Sequence, residues 1–302
     1  MNSIERVFCA IKHQEPDKIP RGEFWLADNL LRKMFPQAKA ITLKLEASAM
    51  ETLGLDARAF YPEGRASSSK PDREPAIYDI AEAAKYVFPN PRMADYEKIS
   101  FWKQETDFFL FALLDGVFQG VASLMDFNTF LMATISHEQK LIKLIAGRCA
   151  SLIEEAKLAI AAGAHGIIIG DDMAYNRGPY ISPISLQNLF FPALEEAVSS
   201  IKQLGVPVFF HSDGNLNAII EDIVAIGFDG IHGLESEAGM DLLDLKKRYK
   251  GKLCLMGNLD IGFLAKAAPT EIKEFTTRLV EQAGVSGGFI LGSSAGILEG
   301  DI

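Results

Sequence analysis

Short apolar runs that recur along the chain, each followed by a stretch of helical character, restrict its fold more than any other feature. In the second half they are Gly166–Gly170 (GIIIG), Val206–Phe210 (VPVFF), Phe228–Gly233, Lys252–Met256 (KLCLM) and Gly287–Leu291. Helical patterns follow at Ser185–Leu204, Leu216–Ile226, Met240–Tyr249 and from Thr270, whose first turn carries Glu271 and Glu274. The runs are nearly continuous in apolar residues and bounded by glycine, as parallel strands covered on both faces require. Strands that alternate with helices imply a parallel sheet with right-handed crossovers. Ile19–Trp25, Leu55–Tyr61 and Phe108–Leu114 supply three earlier strands. Eight βα units point to a (β/α)8 TIM barrel rather than an open sheet. A chain of 302 residues suits one such barrel, so a single domain over 1–302 is expected. The stretch Pro62–Pro75 (PEGRASSSKPDREP) is expected to be one long excursion after the second strand, a lid or a dimer contact. Only eleven residues follow Leu291, so the last barrel helix is expected to be missing. The sheet surface it would leave bare favours a homodimer.

Composition narrows the partners. The apolar share is 48% and the charged share 23%, which excludes disordered and fibrous classes. Asp plus Glu exceed Lys plus Arg by 40 to 30, a net charge of −10. An anionic protein gains nothing from nucleic acid or an anionic membrane, although local Arg and Lys can still meet a small anion. Cys9, Cys149 and Cys254 are too few and too far apart for a disulfide framework or a CxxC metal site. No apolar run reaches the roughly 18 residues of a spanning helix. The start, MNSIERVFCAIKH, mixes charges into a helical pattern unlike a signal peptide, so a cytoplasmic protein is expected.

In a TIM barrel the polar groups just past the C-terminal strand ends face the active site. Here they are Glu23, Asp56 with Arg58, Asp115, Asp171 with Asp172, His211 with Asp213, His232 with Glu235, Asn258 with Asp260, and Ser293 with Ser294. Some will cap the following helices. His211 and Asp213, two apart on an extended chain, point the same way and can share a metal or a proton. The plainer alternative is a turn at Asp213-Gly214 with Asn215 as a cap. Of the repelling pair Asp171-Asp172, one faces the centre and the other caps or pairs. Arg177, beside a Gly-Pro turn, is a candidate carboxylate or phosphate clamp, or else a solvated loop residue. After the sixth strand Glu235 is preferred over His232, because it lies deeper in the loop. Asn258 follows a glycine that lets a ligand approach the backbone, and it can both donate and accept. Gly292-Ser-Ser-Ala-Gly296 matches GxSxG, but no histidine follows it, so a serine hydrolase is rejected. A turn containing Ser294 can instead hold phosphate, as barrels often do after strand eight.

From about Gly163 onward the sequence resembles the uroporphyrinogen decarboxylase superfamily. The resemblance rests on VFFHSDGNLNAIIEDIVAIGFDGIHGLESEAGMDLLDLKKRYKGKLCLMGNLD, on GDDMAYNRGPYISP and on the closing GGFILGSSAGI. It implies a (β/α)8 barrel of either the haem-pathway decarboxylase or the corrinoid-dependent methyltransferase branch. The decarboxylase has an Arg-rich N-terminal motif for its substrate's carboxylates, where this chain reads IPRGEFW with Arg21 alone. It also has a His where this chain has Ala295, while Asp56 matches the Asp that holds the pyrrole nitrogens. The thiol-methylating branch binds zinc through His-x-Cys and a later Cys. Here His211 is kept, but Asp213 and Ala295 or Ser294 stand in those places. Loss of both thiolates argues against that zinc site.

The hard-ligand set that remains is more similar to the methyltransferases that take a methyl group from a small ether or amine and pass it to a corrinoid protein. On that resemblance His211 is the general acid or a metal ligand, Asp213 orients it, and Asp172 completes the catalytic group. Asp56, Arg177, Glu235, Asn258 and Ser294 bind substrate. A metal ion, if held, is expected on His211, Asp213 and Glu235. Porphyrin decarboxylation and a non-catalytic ligand-binding barrel are the alternatives.

Overall fold

The structure is a computed structural model that describes residues 1–62, 74–93 and 95–296. The excursion expected at Pro62–Pro75 and the segment after Gly296 fall largely outside these residues. Eight parallel strands form one sheet in sequential order: β1 (Gly22–Glu23), β2 (Ala57–Phe60), β3 (Phe109–Asp115), β4 (Gly166–Gly170), β5 (Val208–Ser212), β6 (Gly230–Gly233), β7 (Cys254–Leu259) and β8 (Phe289–Ser293). A parallel bridge between Arg21 and Leu291 joins the first edge to the last, and the Leu291 N–H donates to the Pro20 carbonyl at 2.9 Å. The sheet closes into the barrel expected from the eight apolar runs.

Several strands begin and end about two residues later than the apolar runs. Gly287 and Gly288 both take positive φ, near 65° and 67°, so β8 cannot start before Phe289. At the other end the ladder continues through polar residues, because main-chain pairing does not depend on side-chain polarity. One consequence matters for the site: His211 lies inside β5 and is the register partner of His232 in β6. Neighbouring residues in register present their side chains to the same face of a sheet.

The barrel interior holds Phe24, Ala57, Ala59, Phe109, Phe111, Leu113, Ile168, Phe209, Cys254, Met256 and Ile290. Large rings on one strand face small residues on the next. A side-chain carbon at Gly230 would run into the Phe209 ring, so the glycine is needed for space. Helix α1 (Ser3–Ile11), closed at its start by a capping box between Asn2 and Glu5, plugs the barrel floor with Val7, Ala10 and Ile11.

This plug explains Asp56, for which the expectation is corrected. Asp56 immediately precedes β2, at the N-terminal face and opposite the mouth. Its carboxylate accepts from Ser3 Oγ at 2.9 Å, from the Arg6 guanidinium and from the Arg21 N–H at 3.0 Å. It fastens the plug to the barrel instead of meeting a substrate. Replacing Asp56 with Asn is therefore expected to lower stability by about 1–3 kcal/mol, since Arg6 loses one of its two carboxylate partners and keeps only Asp17. Catalytic rates should stay unchanged, and denaturant midpoints beside turnover will check both.

Arg58 alternates outward from Ala57 and Ala59, so it too misses the mouth. It pairs with Glu46 and lies over the Phe60 and Trp102 rings at 4.9 and 5.1 Å. The outward-facing Phe289 and Leu291 of β8 are buried among the described residues, so the bare sheet expected there is not found.

Candidate active site at the barrel mouth

The mouth is built by the loops after β4 and β5. Asp171 and Asp172 divide their tasks as repulsion requires. Asp171 is fully buried and accepts the Val117 and Gln119 N–H groups at 3.1 and 2.7 Å, capping the short helix Val117–Ala122. Burial pushes its carboxyl up to about 7, against the pull of those backbone donors. Asp172 faces the centre, where its carboxylate accepts the Asp213 N–H at 3.0 Å.

Gly214 lets β5 hand its chain to this centre. At φ near 84° its Cα sits against the backbone of Tyr175, where a side chain would collide, and the next N–H, of Asn215, donates to the Tyr175 carbonyl at 2.9 Å. The loop is thereby seated under the small hairpin Ala174–Tyr175/Gly178–Pro179.

Asp172, His211 and Asp213 each place one ligand atom within 4.8 Å of the others. The His211 Nε2 lies 3.8 Å from the Asp213 carboxylate, whose Oδ1 is buried and has no partner among the described groups. Burial raises the Asp213 carboxyl first; the neighbouring imidazole lowers it and Asp172 raises it again. A cation bound at about 2.1 Å needs donors some 3–3.5 Å apart, which modest rotation of the two half-exposed aspartates supplies. An imidazole and two carboxylates, one with an orphaned buried oxygen, fit a divalent cation of hard or borderline character. The thiolate site of the zinc-dependent branch does not fit. Cys9 and Cys149 lie in helices, and Cys254 sits in the barrel interior with burial pushing its thiol up to about 12.

Other expected residues land in varied places. Glu235 is not part of the ligand group; its carboxylate takes the Gly214 N–H at 3.4 Å, and burial followed by Asp213 raises its pKa. Of the expected metal set His211, Asp213 and Glu235, the structure groups the first two with Asp172, because β4 and β5 are adjacent and their loops touch. Asn258 is buried, donates to the Leu234 carbonyl at 2.9 Å, and its Oδ1 has no partner among the described residues. It lines a cavity of about 400 Å³ walled by Ser236, Met240, Phe275 and Arg278 rather than by the aspartates. Ser294 is fully buried, and its hydroxyl has no partner among the described residues. Arg177 stands exposed at the hairpin turn. Asp260 caps the helix Ile261–Lys266.

His232 is the residue that the sequence undervalued. Its Nδ1 lies 2.9 Å from the His211 Nδ1, and its ring stacks on Phe24 at 4.0 Å and 20°. It is buried, and that burial, followed by the neighbouring His211, holds its pKa well below the usual imidazole range. The signal was present: His211 directly follows one apolar run, His232 lies at the end of the next, and two parallel strands in register bring them together. At the β1–β8 seam the Glu23 carboxylate accepts both the Ser293 hydroxyl, at 2.5 Å, and the Ser293 N–H, at 3.0 Å; burial raises its carboxyl to about 7. The rim beside Asp172 is aromatic. Tyr175 stacks on Tyr180 at 5.4 Å and Phe127 meets Tyr180 edge-on at 5.0 Å, all three rings partly exposed.

A closed ring of eight parallel strands with imidazole and carboxylate groups converging at its C-terminal mouth defines a TIM-barrel protein with a site of enzymatic type. The sequence matches the family model for uroporphyrinogen decarboxylase (URO-D) over residues 63–300. The chain belongs to that family. No curated protein sequence matches it. Among solved structures, a methyltransferase from Methanosarcina mazei is similar at 20% identity, with 98% of this chain and 94% of that chain covered and a TM-score of 0.78. A B12-independent methionine synthase from a Shewanella species, in complex with selenomethionine, is similar at 15% identity, 94% and 88% coverage and a TM-score of 0.54. At these identities the likeness shows the shared barrel. Among the described residues no helix is long and apolar enough to cross a membrane.

Proposed function

We propose that this protein is a cytoplasmic methyltransferase that takes a methyl group from a small ether or amine and delivers it to a corrinoid carried by a partner protein. The observation that carries the reading is the group formed by Asp172, His211 and Asp213 at the barrel mouth. The corrinoid, when presented by its partner, supplies the cobalt nucleophile. The work left to this chain is to bind the donor and to meet charge on the leaving oxygen or nitrogen, which needs a proton or a Lewis acid at that atom. His211 is the group placed for that work, with Asp213 beside its Nε2 and Asp172 holding the Asp213 backbone. A divalent cation on Asp172, His211 and Asp213 would polarise the same leaving atom. The exposed rings of Tyr175, Tyr180 and Phe127 offer an apolar rim for the partner's cofactor.

Porphyrin decarboxylation is less well supported. Its substrate bears many carboxylates, and the described mouth presents Asp172, Asp213 and Glu235 to them. Arg21 offers no help, because it lies at the opposite barrel face beside Asp56.

The test supplies purified protein with a reduced corrinoid protein and a panel of methyl ethers and methylamines, following corrinoid methylation by visible absorbance. Turnover of uroporphyrinogen is the parallel assay. Methylation with at least one donor supports the reading. No methylation with any donor, beside release of carbon dioxide from the porphyrinogen, overturns it. A second expectation concerns metal. Elemental analysis after removal of loosely bound ions should find about one equivalent of divalent metal per chain, because two clustered carboxylates repel unless a cation compensates. His211→Ala and Asp172→Asn should hold none above background.

A further inference from the structure

We propose that Ser212 is a positioning residue whose hydroxyl stands in for a missing rung between the loops after β4 and β5, and so sets the spacing of Asp172 and Asp213. The inference deepens the reading of the Asp172, His211 and Asp213 group given above and rests on it, but it does not depend on which methyl donor is used. Between β4 and β5 the Ile167 N–H donates to the Pro207 carbonyl at 3.0 Å and the Asp171 N–H to the His211 carbonyl at 2.8 Å. The bonds of a parallel ladder are evenly spaced, and this register puts the next rung between the Met173 N–H and the Asp213 carbonyl. The Met173 N–H donates instead to the Ser212 Oγ at 3.2 Å, and that hydroxyl donates to the Asp213 carbonyl at 3.0 Å. One side chain thus satisfies both main-chain groups and holds them two hydrogen bonds apart rather than one.

The wedge sits where spacing matters. Met173 follows Asp172 in the chain, and Asp213 follows Ser212. The Asp172 carboxylate accepts the Asp213 N–H at 3.0 Å, and the ligand atoms of Asp172, His211 and Asp213 lie within 4.8 Å of one another. Ser212 and Met173 are both fully buried. Without the hydroxyl, the Met173 N–H and the Asp213 carbonyl must close the rung directly or lose their bonds. Either change moves Asp172 against Asp213 and spoils the fit of the group to a cation. Supporting contacts of this kind orient the groups that hold a metal without touching it.

The experiment compares the parent with Ser212→Ala, Ser212→Thr and, as a control at the barrel floor, Asp56→Asn. Zinc titration measures the cation site, and hydrogen exchange of the Asp213 amide on metal-free protein reports its bond to Asp172. Ser212→Ala should weaken zinc binding by about ten- to a hundredfold. It should also speed exchange of the Asp213 amide, because that bond depends on the spacing. Ser212→Thr keeps the hydroxyl and should restore both, while Asp56→Asn should change neither beyond its effect on global stability. Parental zinc affinity and parental Asp213 exchange in Ser212→Ala overturn the proposal, as does an equal loss of both in Asp56→Asn. If Ser212→Ala does not fold, Ser212→Cys, whose thiol donates and accepts only weakly, gives the same two readouts. A parent that binds no zinc removes the cation, and Asp213 exchange then decides alone. The expected results beside no methyl transfer would remove the catalytic reading and leave this one standing.

Discussion

Replacing His211 with alanine is expected to lower the rate of methyl transfer by about a hundred- to ten-thousandfold, the usual worth of a positioned acid or base. The effect should appear in single-turnover rate and much less in donor affinity, because the imidazole acts on charge that develops at the leaving atom. The fold should survive. His211 is 8% exposed and sits at the rim end of β5, above rather than within the layer of Phe209, Phe111 and Ile168. Its loss leaves the His232 Nδ1 without a partner, a cost of about 1–3 kcal/mol that a barrel of this size tolerates. Asp213→Asn provides the companion measurement. It keeps the size of the side chain but removes the charge beside Nε2, so it should weaken metal retention as well as rate. A His211→Ala enzyme with near-parental rates would show that the leaving atom is served from elsewhere at the mouth.

The barrel was legible because its strands are buried on both faces and so are written as unbroken apolar runs. Each of the eight runs corresponds to a strand, and the capping role expected for one member of the Asp171-Asp172 pair falls to Asp171. What the runs could not show was where a strand stops. Polar residues that keep their main-chain pairing look like loop, and this placed His211 just outside β5 and hid its registration with His232. The same uncertainty at the other end of a strand put Asp56 on the wrong face. Leu55 opens the apolar run, yet the strand begins only at Ala57, so Asp56 belongs to the floor. Arg58 was misplaced for a different reason. A buried cation between sheet and helix needs an anion, and Glu46 comes from a helix whose docking no local pattern reveals. The third member of the ligand group was within reach: Asp172 and Asp213 follow consecutive strands of the barrel, and neighbouring strands in a TIM barrel are neighbours at the mouth.

The largest stability effect is expected behind the barrel mouth, at Arg148. This residue lies in the long helix Glu138–Ala162 and is 1% exposed, as is Glu155 one side and two turns along. The two form a bidentate pair with bonds of 2.7 and 2.9 Å, and the Arg148 stem runs past Gly120, where a side chain would collide with it. The guanidinium has a second task. Its Nε donates to the Gly116 carbonyl at 3.2 Å and its Nη2 to the Asp115 carbonyl, so it grips the chain where β3 ends. From there the connection runs to the site. The helix beginning at Val117 is capped by Asp171, and the Gln119 side chain accepts the Asp172 N–H at 3.2 Å. Arg148→Ala should therefore destabilise the fold by about 3–5 kcal/mol, since it takes the bidentate guanidinium from a buried carboxylate that keeps Ser151. It should also loosen Asp172 and weaken metal binding. The double variant Arg148→Met with Glu155→Leu separates the two tasks. With no charge left unpaired, most of the stability should return. The carbonyls of Asp115 and Gly116 still lack their donor, so metal affinity should not recover in proportion. Denaturant midpoints and zinc titrations on the three proteins measure this. Full recovery of both in the double variant would show that the pair contributes to the fold alone and that Asp172 is positioned without it.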